Sequence, residues 1–318
     1  MPSEKTSPCF VGIDVSKDTL DVFIRPLEKS LKVDNKAFGP LVKKLKKLNP
    51  ELIVLEATGG YEIGVLEALS QAGLKVYREH PLKVYHHAKG RGKLAKTDRL
   101  DASTLAHYAE CFVKDITIRD LPSQEHRQLQ QLVARRKQLV DQRTMEINRE
   151  KHPALFLAIK ASCRSVIELL DAQIQQLEEM IQGLVQANQD WQRKKELLQS
   201  IAGVGETTAT LLLVSLPELG QVNRKVIAAL AGVAPYRYES GTFKGQQHIR
   251  GGRKDVRTGL YMATLVAKRY NPELKAFYEK LLAQGKKKKV ALVACMHKLL
   301  RMLNAMLAKN EPYHSANT

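Results

Sequence analysis

Two apolar runs near the N-terminus each end in a single acidic side chain. Residues 9–16 carry Asp14 after Phe, Val and Ile, and residues 52–56 finish in Glu56. Runs rich in β-branched and aromatic residues that stop at a turn are typical of buried strands. A carboxylate beside a buried sheet is costly unless it is paired, and a divalent metal is the usual partner when several acids converge. The pattern therefore predicts a sheet whose strand ends can carry a metal site.

The residues around these two runs predict an α/β domain. Residues 20–24 make a second strand, the hairpin partner of the first, and residues 31–38 make a weaker third strand. The remaining predicted elements are a helix over 40–48, a helix over 61–72 and a strand over 74–77. Three strands followed by alternating helices and strands indicate a layered domain with a mixed sheet.

A third acidic cluster follows Thr97, which can cap a helix that reaches Ala109. Asp98 and Asp101 are three residues apart, so they share one face of the first turn of this helix. Acids in a first turn also complement the helix dipole, which is enough to explain this pair alone. Taken together with Asp14 and Glu56, however, four carboxylates from three elements are what two Mg²⁺ ions need for in-line phosphodiester chemistry.

The charge of the chain indicates an anionic polymer as its partner. The 318 residues include 51 Lys and Arg against 33 Asp and Glu, a net charge of +18, which points most simply to nucleic acid. No apolar run reaches the roughly 18 residues of a spanning helix, and the N-terminus has no signal-peptide pattern, so we expect no membrane partner. The cysteines are scattered without a CxxC pair, which predicts reduced core residues of a cytoplasmic protein and no zinc site. They are Cys9, Cys111, Cys163 and Cys295.

Residues 81–96 interleave basic side chains with glycine. The composition predicts a flexible basic loop suited to a phosphate backbone, although an ordinary solvated loop fits equally well. The nucleic-acid contacts predicted in it are Lys89, Arg91, Lys93 and Lys96. The adjacent His86 and His87 point in different directions on a helix or strand, so the sequence does not favour a metal site there.

The middle of the chain predicts two long helices, over 123–149 and 165–185, separated by Pro153. Apolar residues of the second helix step by three or four, as in a coiled-coil seam. We interpret the pair as an antiparallel hairpin or a stalk that joins subunits. The predicted domains are residues 1–120, a helical arm over 121–192 and a C-terminal domain over 193–318.

A helix, a glycine turn and a new helix meet around Gly203 and Gly205, in the manner of a helix-hairpin-helix element. Backbone N–H groups at such a turn can hold one phosphate, although an ordinary turn between two helices explains the same pattern.

Further along, Ser240 stands beside Gly241 among basic residues. A hydroxyl in this setting fits a nucleophile on a phosphodiester, with the cations stabilising the transition state. Tyr236 and Tyr238 are rival nucleophiles, and Ser240 could instead only contact a phosphate. The basic residues predicted to contact nucleic acid here are Arg237, Lys244, Arg250, Arg253, Lys254 and Arg257.

Four motifs follow one another along nearly the whole chain: residues 12–15, residues 55–59, residues 96–98 with Asp101, and residues 237–241. In this arrangement the chain resembles the DEDD transposases of the insertion-sequence one-hundred-and-ten family. The resemblance implies a RuvC-like (RNase H) mixed-sheet domain, a coiled-coil arm and a mostly helical C-terminal transposase domain with a helix-hairpin-helix element. By the family motif, Asp14, Glu56, Asp98 and Asp101 would be the Mg²⁺ ligands, and Ser240 would form a covalent 5′-phosphoserine that leaves a 3′-OH for strand exchange.

The resemblance also implies partners that no residue pattern shows. They are double-stranded donor and target DNA, a structured bridge RNA that pairs with both, and a homodimer that assembles into a tetramer in the nucleoid of a prokaryote. Two other functions stay open from the residues themselves. One is a Holliday-junction nuclease of RuvC type that uses water, and the other is a non-catalytic nucleic-acid-binding protein.

Overall fold

A computed structural model describes residues 8–92, 98–118, 121–237, 239–240, 243–245 and 247–314. Of residues 98–100, 239, 240, 243 and 244 it describes the backbone alone. The chain divides into two compact units, Met1–Pro122 and Ser123–Thr318. The division of the chain into three domains stays a prediction.

The first unit is built on one five-stranded sheet. Its strands are β1 (Phe10–Val15), β2 (Thr19–Arg25), β3 (Lys29–Asp34), β4 (Leu52–Glu56) and β5 (Val76–Glu79), in the order β3-β2-β1-β4-β5. The first three strands are antiparallel neighbours, whereas β4 runs parallel to β1 and β5 parallel to β4. A three-stranded meander extended by two parallel strands is the RuvC-like (RNase H) order, so the predicted fold class is confirmed.

Alternation along the strands gives the sheet two buried faces. On one face, Val11 and Ile13 pack with residues of α1 (Phe38–Leu48) and α2 (Ile63–Gln71). On the other, Phe10 and Val54 pack with Leu105 of α4 (Asp98–Phe112). Thr97, the predicted cap of α4, lies outside the described residues.

The prediction of a flexible loop over residues 81–96 is wrong for its first part, which is the helix α3 (Pro81–Gly90). Pro81 occupies the first turn, where its missing N–H is not needed. The ring Nδ1 of His80 accepts a hydrogen bond from the backbone N–H of Leu82 at 3.2 Å, and Val84 is buried. The segment therefore forms a helix, because the His80 cap and the burial of Val84 outweigh the loop preference of its basic, glycine-containing composition.

The second unit opens with the predicted antiparallel hairpin, α5 (Gln124–Glu150) and α6 (Leu157–Ala187). Leu139 packs with Leu170 and Ile174 between the two helices. Three ion pairs show the antiparallel direction, because successively later residues of α5 pair with successively earlier residues of α6. The pairs are Arg136 with Glu178 (Nε to Oε1 2.7 Å), Arg143 with Asp171 (2.5 Å) and Glu150 with Arg164 (2.6 Å).

The rest of the second unit is mostly helical, as predicted. Its helices are α7 (Gln189–Gln199), α8 (Glu206–Ser215), α9 (Arg224–Leu230), α10 (Lys254–Tyr270), α11 (Pro272–Ala283) and α12 (Lys288–Lys309). Two short strand pairs stand between α9 and α10. They are β6 (Pro235–Tyr236) with β9 (His248–Ile249), and β7 (Glu239–Ser240) with β8 (Phe243–Lys244).

Among the described residues, α12 alone is long and apolar enough to cross a membrane by length and composition. Half of its apolar window is buried, and Leu299 and Leu303 lie in the core of the second unit. The core helix of a soluble protein can meet the same criteria of length and composition.

Candidate active site

A row of acidic residues crosses the α4 face of the sheet. Strand alternation places Asp14 on the same face as Phe10 and Gly12, and Glu56 on the same face as Val54. Since Ile13 pairs with Leu55 in the parallel register, Asp14 and Glu56 follow at the same end of two adjacent strands. Neighbouring strands are about 4.8 Å apart. The structure therefore brings these two predicted acids side by side.

Helix α4 lies directly over this row because β1 has no side chain at Gly12. A β-carbon built at Gly12 would stand 2.1 Å from the carbonyl oxygen of Ala102 and 2.3 Å from the backbone nitrogen of Ala106. Towards the start of β1, Phe10 packs with Leu105 and the later turns of α4. The first turn, with Asp101 beside Ala102, therefore lies towards Asp14.

Two more acids, which were not predicted from the sequence, extend the row at both ends. Asp21 of β2 pairs in register with Asp14, and its carboxylate lies 3.5 Å from Lys32 Nζ. Glu79 of β5 pairs with Glu56 and is buried, with the Tyr108 hydroxyl donating to it at 2.5 Å. Burial and the bond to Glu79 raise the pKa of Tyr108 above its ordinary value. The bond of Glu79 to Tyr108 therefore ties β5 to α4, whereas the pair of Asp21 with Lys32 links the neighbouring strands β2 and β3.

The loop that follows Glu56 is organised by Glu62, a buried carboxylate that was also not predicted. It accepts hydrogen bonds from the backbone N–H of Gly60 at 2.8 Å and of Thr58 at 3.2 Å, and it pairs with Arg78 at 3.1 Å. Burial opposes its ionisation, but the backbone donors and Arg78 outweigh burial, so the pKa of Glu62 is lowered. Glu62 therefore fixes the backbone just beyond Glu56.

Oxygen ligands from β1, β4 and α4 suit a hard divalent cation such as Mg²⁺. Asp14, Glu56 and Asp101 are each half-buried. The side chain of Asp98 lies outside the described residues, and only its backbone at the start of α4 is described. The assignment of all four acids as metal ligands stays a prediction.

The predicted nucleophile lies in the second unit on a very short hairpin. Ser240 of β7 pairs with Phe243 of β8, and β6 pairs with β9 through Tyr236 and His248. The side chains of Ser240 and Lys244 and the whole of Tyr238 lie outside the described residues. Tyr236, one of the two rival nucleophiles, is exposed. The structure therefore places the backbone of Ser240 but does not decide between the candidate nucleophiles.

A basic cavity of about 950 Å³ adjoins the β6–β9 pair. It is bounded by Pro235 and His248 of these strands, and four basic residues line it: Arg224, Lys289, Lys298 and Arg301. Of these, Lys298 pairs with Glu273, which also lines the cavity, at 2.9 Å. Burial, and after it the charge of Arg301, lower the pKa of His297 in its wall. A cation-lined cleft of this kind suits a phosphate backbone.

Two of the residues predicted to contact nucleic acid have partners within the fold, and their contact with nucleic acid stays a prediction. Arg253 donates to Glu218 through both terminal nitrogens, at 2.5 and 2.8 Å, and Glu218 is buried. Arg257 Nη1 donates to the carbonyl oxygen of Gly251 at 2.7 Å.

Gly203 also has a packing role. It has φ +100°, and a β-carbon there would stand 2.5 Å from the backbone nitrogen of Ala267 in α10. Gly205 caps α8 and is exposed, but Glu206 follows it and pairs with Lys195. A carboxylate already lies at this helix N-terminus, which is unfavourable for a phosphate.

The other predicted contacts are exposed where they are described, as Lys89, Arg91, Arg237, Arg250 and Lys254 are. Lys93 and Lys96 lie outside the described residues. For all of these residues, contact with nucleic acid stays a prediction.

Comparison with known proteins gives the family. Residues 11–153 match the DEDD transposase model of IS110, described as "Transposase", and residues 195–279 match the model described as "Transposase IS116/IS110/IS902 family". The chain belongs to this family of insertion-sequence transposases. Its members are DNA-recombining enzymes that use a divalent metal, so DNA is the substrate class.

The chain is similar to individual curated proteins and to one solved structure. The pilin gene-inverting protein of Moraxella bovis is 28% identical over 324 residues, which cover 96% of this chain and 98% of that protein. The insertion element IS110 uncharacterized 43.6 kDa protein of Streptomyces coelicolor is 28% identical over 48% of this chain and 38% of that protein. A solved structure, T. thermophilus RuvC in complex with Holliday junction substrate, is 17% identical with a TM-score of 0.29, covering 36% of this chain and 100% of RuvC.

Proposed function

We propose that the protein is a Mg²⁺-dependent recombinase that cuts DNA with Ser240 and is directed to donor and target DNA by a bridge RNA. The observation that carries the proposal is the position of Asp14 and Glu56 at the same end of two adjacent parallel strands, on the face of the sheet that α4 covers. Asp14, Glu56, Asp98 and Asp101 would hold two ions. When bound, Mg²⁺ supplies Lewis-acid polarisation of the scissile phosphate.

The covalent step conserves the phosphodiester. The Ser240 oxygen forms a bond to phosphorus and gives up its proton, while the bond from phosphorus to the 3′ oxygen breaks. That oxygen takes up a proton and becomes a free 3′-OH. The exposed guanidinium groups of Arg237 and Arg250 can stabilise negative charge on the phosphate as it develops. Since bond energy is retained in the phosphoserine, the chain needs no ATP, and it has no GxxxxGK[ST] motif.

One finding favours strand exchange over hydrolysis by a RuvC-type nuclease. A relative aligned over 98% of its length is a pilin gene-inverting protein. Inverting a DNA segment requires its ends to be rejoined, which a covalent intermediate permits and hydrolysis alone does not.

The net charge of +18 and the cation-lined cavity support a protein that binds nucleic-acid backbones, while base pairing by the RNA selects the DNA sequence. We propose that RNA co-purifies with the protein, and that the α5–α6 hairpin joins subunits into the dimers that assemble as tetramers in the nucleoid. Sequencing of the bound RNA and light scattering with and without DNA test these two points. Absence of any discrete RNA species would refute the guide, and a monomer with DNA present would refute the assembly.

The covalent step is tested by trapping. The protein is incubated with DNA and Mg²⁺, denatured, and examined for protein–DNA adducts. We expect adducts from the wild type and from Glu51→Gln, a control acid that is exposed. Ser240→Ala should give none, and Asp14→Asn should lose adducts and cutting together. Cutting that persists in Ser240→Ala without adducts would support the nuclease, and activity unchanged in Asp14→Asn would support the non-catalytic binding protein.

A further inference from the structure

Three metal-binding side chains converge in the first unit, away from the acidic row. They are His87, near the end of α3, and His107 and Cys111, one turn apart on α4. One ligand atom from each lies within 4.8 Å of the other two. We propose that His87, His107 and Cys111 form a binding site for Zn²⁺ or a similar transition-metal ion.

Two of the three distances between ligand atoms are close to those that one shared ion requires, and the third is within 4.8 Å. His87 Nε2 lies 2.9 Å from His107 Nδ1, and Cys111 Sγ lies 3.5 Å from the same nitrogen. A tetrahedral ion with Zn–N bonds of about 2.0 Å and a Zn–S bond of about 2.3 Å separates its ligand atoms by about 3.3–3.6 Å. The two imidazoles need to move apart by only a few tenths of an ångström.

The rings are already held in place by their neighbours. The His87 ring packs edge-on against Tyr108 and Phe112, with centroids 5.3 and 5.7 Å away. Tyr108 is itself fixed by its bond to Glu79. Packing of this kind orients a ligand before the metal arrives, as the surroundings of a metal site must.

The donor set selects the kind of metal. Two imidazole nitrogens and one thiolate favour Zn²⁺ or a similar transition metal, whereas Mg²⁺ prefers oxygen ligands. Burial, with help from the charge of Arg91, lowers the pKa of His87 and His107, which favours the neutral ring that binds metal. Arg91 also opposes a bound cation, but its side chain is exposed and can turn into solvent.

Binding requires one proton to leave. Each neutral imidazole keeps one N–H by placing it on the nitrogen that faces away from the ion, and the Cys111 thiol gives its proton to water. Cys111 is exposed, which leaves a path for the ion and a fourth position for water. Bound metal would link α3 to α4 about 9 Å along the helix from Asp101.

Cobalt titration tests the site. The metal-free full chain is titrated with Co²⁺ in excess Mg²⁺, which keeps the acidic row occupied. We expect one Co²⁺ per chain with a sulfur-to-cobalt absorption band. The band should vanish in Cys111→Ser and require at least about tenfold more Co²⁺ in His107→Gln. Cys9→Ser, a control at another cysteine of the same unit, should keep it.

Two further results separate this site from the proposed catalysis. Asp14→Asn should bind Co²⁺ as the wild type does, whatever its effect on DNA cutting. Added Zn²⁺ should raise the melting temperature of the wild type but not of Cys111→Ser, because only the folded site binds the ion. No sulfur band at millimolar Co²⁺, or a band that survives in Cys111→Ser, would overturn the proposal.

Discussion

Gly12 of β1 and Ala102 of α4 are in backbone contact, so close that a β-carbon on Gly12 would stand 2.1 Å from the Ala102 carbonyl oxygen. This approach places the first turn of α4 over the strand end that carries Asp14. The contact is with backbone atoms, which cannot swing aside as a side chain can.

The first prediction concerns this contact. Gly12→Ala should destabilise the first unit by about 3 kcal/mol or more and abolish DNA cutting, because α4 must lift away from β1. Gly39→Ala is the matched control, since a β-carbon there meets nothing within 4 Å. Hydrogen exchange of peptides from β1 and α4 measures the change. Native-like protection of both elements in Gly12→Ala would contradict the close packing.

The second prediction concerns Glu62 and pH. Because its folded pKa lies below the unfolded value of about 4.3, the ionised carboxylate stabilises the fold fully above that pH. The stabilisation is lost as pH falls through the lower, folded pKa. Glu62→Gln should therefore weaken the first unit by about 2 kcal/mol at pH 7, and by progressively less as pH falls below about 4.3.

Hydrogen exchange of residues 57–62 between pH 7 and pH 3.5 follows this loss, with Glu51→Gln as an exposed control. A difference between Glu62→Gln and wild type that stays constant over this range would refute the linkage.

The third prediction separates two arginines that look alike in the sequence. Arg253→Ala should cost about 3 kcal/mol of stability in the second unit, because it removes the guanidinium group that pairs with the buried carboxylate of Glu218. Arg250→Ala, at an exposed position, should leave stability unchanged and weaken DNA binding. Thermal unfolding and salt-dependent DNA binding distinguish them. Equal stability of the two variants would show that the Arg253–Glu218 pair is unimportant.

The fourth prediction concerns the glycine turn before α8. Gly203→Ala should disrupt the second unit, since φ is +100° and α10 stands against the position. Gly205→Ala has free space and an extended backbone, so its cost should stay near a few tenths of a kcal/mol. Fluorescence of Trp191, the one tryptophan of the chain, reports both results. Equal unfolding midpoints would contradict the packing role of Gly203.

The strands of the sheet and the acids at two strand ends, Asp14 and Glu56, could be predicted because the sequence patterns that indicate them are local. A continuous run of β-branched and other apolar residues that stops at a turn after Asp14 or Glu56 defines both the strand and its end. The parallel register that brings these two residues together then follows from the fold class.

One missed feature has a local signal that the composition of its segment outweighed, and the others depend on contacts distant in sequence. Helix α3 is formed by a proline and a histidine cap within a basic segment whose composition is typical of loops. The pairing of Arg253 with Glu218 spans 35 residues, so the basic cluster around Arg253 gives no sign of this structural role. The cluster of His87 with His107 and Cys111 requires α3 to be a helix packed on α4, and no spacing in the sequence indicates it.

Locating the covalent bond in the trapped protein–DNA adduct tests the central claim most directly. Trypsin cleavage after Arg237 and Lys244 gives a peptide, residues 238–244, that contains Ser240 and Tyr238 but not Tyr236. Fragmentation by mass spectrometry then assigns the nucleotide mass to one residue. The account predicts that the mass is carried by Ser240 through its 5′ phosphate. Linkage at Tyr236 or Tyr238 would contradict it.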